Sequence, residues 1–235
     1  MAVMSTYHSK GPTHSRTLPH QHPQHRPSQH PGHGTTGETP EHCQGTPEYL
    51  PPPQIGGEHL QYIKAPIFEH HIPNDFHQSL QDAANENRLN PNELKELSYQ
   101  LKSIGGQVEF KRFVSRISEK EDGDLYVTIA DTIKSNVHVQ TWGRQSGRSG
   151  NYESANRYHV LNVECISIDS RLWKPSHDHS KWCVSNSGDW TCIADSNRAE
   201  SQFNRPGGAL CINNKGVTDI FKSFIKGKSD CPYGL

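Results

Sequence analysis

The sequence predicts an α/β fold, with α+β as the alternative, confined to residues 55–235 of the 235-residue chain. Three observations predict it. Runs that alternate apolar and polar residues are interleaved with runs spaced for helices. Strand patterns carry the later part of the chain. Residues 1–54, by contrast, hold eight of the sixteen His, many Pro and almost no Val, Ile, Leu or Phe. Such a segment cannot bury enough apolar surface to offset its ordering entropy, and it is expected to be disordered.

The elements follow in order. Leu60, Tyr62, Ile63, Ile67 and Phe68 bring in the first apolar material. Residues 76–86 and 92–103 carry helical spacing, the second opened by Pro91 and stopped by Gly105 and Gly106. Residues 108–117 read as a strand, 124–135 as a helix weakened by Val and Thr, and 137–142 as a strand. Residues 143–151 form a loop, and 158–168 read as one long strand. Residues 218–225 close the chain as a short helix with Ile220, Phe221, Phe224 and Ile225 on one stripe.

Formal charge is -1 with His neutral, so no basic composition points to nucleic acid at neutral pH. At about pH 5 most exposed imidazoles would be protonated and the chain would attract polyanions. Five of the six Cys lie beyond residue 160, which suggests disulfides and a secretory or lysosomal compartment. Residues 1–9 show no signal-peptide pattern, an inconsistency resolved if the chain lacks its original N-terminus. No run of 18 apolar residues is present, so no membrane-spanning segment is expected.

The informative block reads His179-Ser180-Lys181-Trp182-Cys183-Val184, Gly188-Asp189-Trp190-Thr191-Cys192, Asp195-Ser196-Asn197-Arg198 and Arg205-Pro206-Gly207-Gly208 leading to Cys211. Upstream, residues 124–126, 137–142 and 159–163 match in the same order. Over about residues 56–235 this resembles the deoxyribonuclease II family, with Ala194 where that pattern has Gly and Pro206 breaking its glycine run. The resemblance implies a phospholipase-D-like lobe of an incomplete two-lobed fold, and an acid endonuclease that leaves 3′-phosphate ends without a metal or other cofactor. It implies DNA as partner and a lysosomal or secreted location.

Each lobe of that family supplies one His-x-Lys motif. The second motif here is His179/Lys181, with Asn197 supporting. The first would be His8/Lys10, 171 residues earlier, in a segment that reads as a remnant of the first lobe. Sixteen His and 24 Lys plus Arg make chance His-x-basic triplets common, so His8/Lys10 rests on the resemblance alone.

The chemistry suits these residue types. In an extended segment residues i and i+2 share a face, so His179 and Lys181 can reach one phosphate. An ammonium stabilises charge building on phosphoryl oxygens, and a neutral imidazole can attack phosphorus while a protonated mate supplies the leaving group's proton. Asp195 and Arg198 either contact substrate or form an internal ion pair that holds the loop. Trp182 and Trp190 either stack on bases or belong to the core. Cys183 reads as a buried free thiol. A Cys192–Cys211 bridge would pin the Asn197 loop, and Cys231 either pairs with Cys165 or stays free. Two readings compete with a complete enzyme. One is a non-catalytic DNA binder or inert relative; the other is a homodimer that rebuilds the site from two His179/Lys181 pairs.

Overall fold

The computed structural model describes residues 53–94, 97–103, 105–118 and 121–231. Helices α1 (Pro53–Tyr62) and α2 (Gln78–Ala84) come first and pack together. Strands β1 (Ser98–Lys102) and β2 (Glu109–Val114), helix α3 (Leu125–Ile133) and strand β3 (Val137–Gln140) follow. Next come β4 (Val160–Asn162), β5 (Cys165–Ile168), β6 (Arg171–Trp173), β7 (Trp182–Ser185) and β8 (Trp190–Ala194). Helix α4 (Glu200–Phe203), β9 (Gly208–Asn213), α5 (Lys215–Phe224) and β10 (Ile225–Lys226) complete the order.

A seven-stranded mixed sheet runs β1-β2-β9-β8-β7-β3-β4, and a three-stranded sheet runs β10-β5-β6. Among the described residues only β3 and β4 pair in parallel. Alternation along β7 shows how the large sheet is covered. Cys183 points into a core with Leu125, Ile129, Cys192 and Cys211 beneath α3. Trp182 and Val184 point the other way, against Phe221 and Phe224 of α5. Helices on both faces of one mixed sheet fit the expected α/β class.

Two expectations need correction. Residues 92–103 are not a helix: a 3-10 turn at Pro91–Glu93 is followed by β1. Leu97, Tyr99 and Leu101 are spaced by two as readily as by helical steps, and β2 supplies an antiparallel partner from Ser98↔Phe113 to Lys102↔Glu109. Residues 158–168 are not one strand either. The chain leaves the large sheet after Asn162 and joins the small one at Cys165. The terminal helix starts three residues before the expected 218, where Asn214 caps it by accepting from Val217 N–H at 3.1 Å.

Cys192 and Cys211 face each other across β8 and β9 and are bridged. Closing a loop of that length stabilises by about 3 kcal/mol on chain-entropy grounds. Cys165 and Cys231 form a second bridge, which resolves the open pairing. Cys183 is free and buried, and burial drives its thiol well above the ordinary range, so it stays protonated.

Arg198 ties the fold together from inside. Its side chain is 1% exposed, and its Nε donates to Asp124 Oδ2 at 2.8 Å. Its Nη1 reaches Gly150 O and Asn162 Oδ1, both at 2.9 Å. Asp124 in turn caps α3, accepting from Tyr126 N–H at 3.0 Å through Oδ1. The sequence offered Asp195 as the partner in an internal ion pair; the partner is Asp124, 74 residues away.

Removing the cation would strand a buried carboxylate. Arg198→Met is therefore expected to destabilise the chain by about 3–5 kcal/mol, and adding Asp124→Asn should restore part of that loss. Urea unfolding of the two single variants and the double variant measures it. A loss below about 1 kcal/mol for Arg198→Met would contradict the assignment.

Candidate active site

The pairing directions bring several strand termini to one end of the large sheet. β3, β4 and β8 finish there, and β7 and β9 begin there. The connecting segments that meet at this end hold residues 141–151, 175–181, 195–199 and 205–208. Two glycines permit the close approach. A Cβ on Gly143 would lie 2.7 Å from Ser176 N, and one on Gly207 would lie 1.8 Å from Ser196 Oγ.

His179 and Lys181 do not sit in a strand, because β7 starts one residue after Lys181. The carboxylate of Asp178 shapes this stretch instead, accepting from Ser180 N–H at 2.7 Å and Ser180 Oγ at 2.9 Å. Trp173 Nε1 and Gln140 Nε2 steady Asp178 from the sheet side, each at 3.4 Å. Within this turn the Lys181 ammonium folds back to donate to the His179 carbonyl at 2.9 Å. The His179 imidazole lies on the indole of Trp142, ring centroids 4.4 Å apart and planes 24° from parallel. The motif is thus assembled by a turn and a stacked ring, not by the side-by-side extended geometry its spacing suggested.

Asn197 meets the same tryptophan. Its Oδ1 accepts from the main-chain N–H of Trp142 at 3.3 Å, and its Nδ2 donates to Gln145 Oε1 at 3.1 Å. On either side of it, the buried Tyr126 hydroxyl donates to Ser196 O at 2.8 Å and Arg198 is held by Asp124. Trp142 therefore connects His179 to Asn197.

Asp195 is fixed at the rim. Its Oδ1 accepts from Gly208 N–H at 2.9 Å and Ser196 Oγ at 2.8 Å. Desolvation raises its carboxyl above the ordinary range, against the lowering effect of those bonds and of Arg205. Lys181 is lowered, chiefly by desolvation; Asp195 and Asp178 pull it back up, and Arg205 lowers it further. The ammonium and the carboxylates of Asp195 and Asp178 therefore share one electrostatic neighbourhood.

Other candidates fall elsewhere. Arg198 faces the interior, with its guanidinium engaged by protein acceptors. Trp182, offered as a base-stacking residue, is a core residue packed edge-on to Phe221 at 5.2 Å. Trp190 is half-buried against the core, with Lys111 Nζ 5.3 Å from its ring centroid. His8 and Lys10 lie outside the described residues. Among the described residues no group of three or more His, Cys, Asp or Glu converges as a metal site would, and no helix is long and apolar enough to cross a membrane.

Sequence reasoning missed Trp142, Gln145 and Asp178. An Asp two residues before a Ser is a turn signal that could have marked the bend before Lys181. Nothing local distinguishes a tryptophan at a strand's end from a core aromatic.

Several known proteins are similar to this chain in sequence. Mus musculus deoxyribonuclease-2-alpha is 31% identical over 185 residues, covering 76% of this chain and 51% of that protein. Sus scrofa deoxyribonuclease-2-alpha is 35% identical over 112 residues, 46% of this chain and 30% of its own. Plancitoxin-1 of Acanthaster planci is 33% identical over 141 residues, 58% of this chain and 38% of its own. The chain thus spans about half, or less, of the length of these relatives. The family model described as Deoxyribonuclease II matches residues 52–231, which is most of the chain, and the protein belongs to the deoxyribonuclease II family.

Proposed function

We propose that the chain is an acid endonuclease that hydrolyses DNA phosphodiester bonds without a metal and leaves 3′-phosphate ends. One observation carries the reading: at a single end of the sheet Trp142 contacts both His179 and Asn197, and the Lys181 ammonium bonds the His179 carbonyl. A ring nitrogen of His179 attacks phosphorus with its lone pair, and the bond from phosphorus to the 5′ oxygen breaks. The departing oxygen takes a proton from a second acid. Water then cleaves the phosphorus–nitrogen bond, releasing the 3′-phosphate and restoring the imidazole. Lys181 supplies positive charge to the phosphoryl oxygens, and Asn197 an amide donor. The second acid is His8, supported by Lys10, as the family pattern implies. The two disulfides suit an oxidising compartment, lysosomal or secreted.

Asp195 acts here as a rival for Lys181. Ionised, it attracts the ammonium and repels phosphate; protonated, it does neither. Its raised folded value means the fold favours the neutral carboxyl. The stability this gives is fully present below the ordinary carboxylate value and is lost as pH rises through the raised one. The same titration disfavours DNA as pH rises, which suits an acid enzyme.

A second reading, the homodimer that rebuilds the site from two His179/Lys181 pairs, is favoured by an exposed apolar pair. Ile193 and Leu210 lie opposite each other on β8 and β9, 56% and 50% exposed. Ile193 is also paired with Trp182, next to Lys181.

Three expected outcomes test these readings. Plasmid incubated at about pH 5 with EDTA should be cut, and His179→Ala or Lys181→Ala should each lower the rate by at least about 100-fold. An uncut plasmid would refute the enzyme and leave the non-catalytic alternative, whereas variants as fast as a cutting parent would refute the roles of His179 and Lys181. Asp195→Asn should move the neutral limb of the pH–rate profile upward; an unmoved limb contradicts the rival role. The homodimer predicts gel filtration at twice the chain mass and full activity in His8→Ala, whereas the two-motif reading predicts a monomer that His8→Ala inactivates.

A further inference from the structure

We propose that Trp142 is the positioning residue for the reaction, its indole face orienting the His179 imidazole and stabilising the positive charge that ring acquires on bonding to phosphorus. The inference rests on the nuclease reading above and names a group that reading does not require.

His179 is exposed and belongs to no strand or helix. The Asp178 turn sets its backbone but leaves the two side-chain torsions of the ring to its surroundings. The indole restricts them by near-parallel stacking at 4.4 Å. The backbone that carries the indole is held on both sides. The main-chain N–H of Trp142 donates to Asn197 Oδ1, and the next residue's N–H donates to Pro175 O at 3.0 Å. The same residue thus holds Asn197 through its backbone and meets His179 through its side chain.

The stack also has an electronic consequence. When a ring nitrogen of His179 gives its lone pair to phosphorus, the imidazole becomes cationic. The face of an indole is the negative part of its quadrupole and favours a cation above it. That preference is stronger for the charged ring than for the neutral one, so it acts on the step that forms the bond. An aliphatic side chain would fill the space without offering that face.

Trp142→Leu and Trp142→Phe separate packing from the aromatic role. On plasmid DNA at about pH 5 with EDTA, Trp142→Leu is expected to lower kcat by roughly tenfold or more with KM little changed, and Trp142→Phe to recover most of the rate. Proton NMR reads the stack independently of turnover. The His179 ring protons should be shifted upfield in the parent and in Trp142→Phe, and should lose that shift in Trp142→Leu. A Trp142→Leu variant with the parent's kcat, equal losses in both variants, or parent ring protons without the shift would overturn the inference. A parent that does not cut removes the nuclease reading itself, and with it any role in the reaction. A cutting parent with an equally active Trp142→Leu removes the positioning role alone.

Discussion

The contact between the Arg198 guanidinium and the Asp124 carboxylate is the constraint on which the rest of the structure depends. It is fully buried, and one cation there is shared among the cap of α3, the end of β4 and the loop after β3. Burying two charges is expensive, and the pair lowers that cost by satisfying further acceptors. Its value lies in geometry. Four segments far apart in sequence have to meet in one arrangement for the guanidinium to be satisfied, and one of them holds Asn197.

From that anchor the site builds outward through irregular chain. Turns and loops at the end of a rigid sheet can aim side chains in directions that a strand cannot. The Asp178 turn folds the Lys181 ammonium toward the His179 carbonyl, and the Trp142 indole receives the imidazole. Desolvation has opposite effects on the two signs of charge, lowering Lys181 and raising Asp195. An ammonium and a carboxyl thus share one electrostatic neighbourhood at this end of the sheet.

Much of the scaffold was legible in the sequence. The spacing by four of Leu125, Ile129 and Ile133 after Asp124 marked α3, and the alternation of Val137 and Val139 marked β3. The Cys192–Cys211 bridge and the His179/Lys181 motif came from a resemblance spread over many segments, not from local pattern. What escaped did so for physical reasons. Leu97, Tyr99 and Leu101 satisfy two periodicities, and only the partner strand decides between them. The break at Val163 and Glu164 depends on a second sheet that brings Cys165 to Cys231. The partner of Arg198 lies 74 residues away, and no local signal announces a contact at that range. The stacking of Trp142 on His179 is equally non-local, which is why the site holds residues that its motifs did not name.

The most direct test of the account is the covalent intermediate. The chain is mixed with DNA in acid, quenched in alkali to preserve phosphorus–nitrogen bonds, digested and examined by mass spectrometry. A nucleotide adduct on the peptide holding His179, absent in His179→Ala, is the predicted result. Cleavage with the adduct on another residue, or with none while turnover proceeds, would contradict the assignment of His179 as the nucleophile.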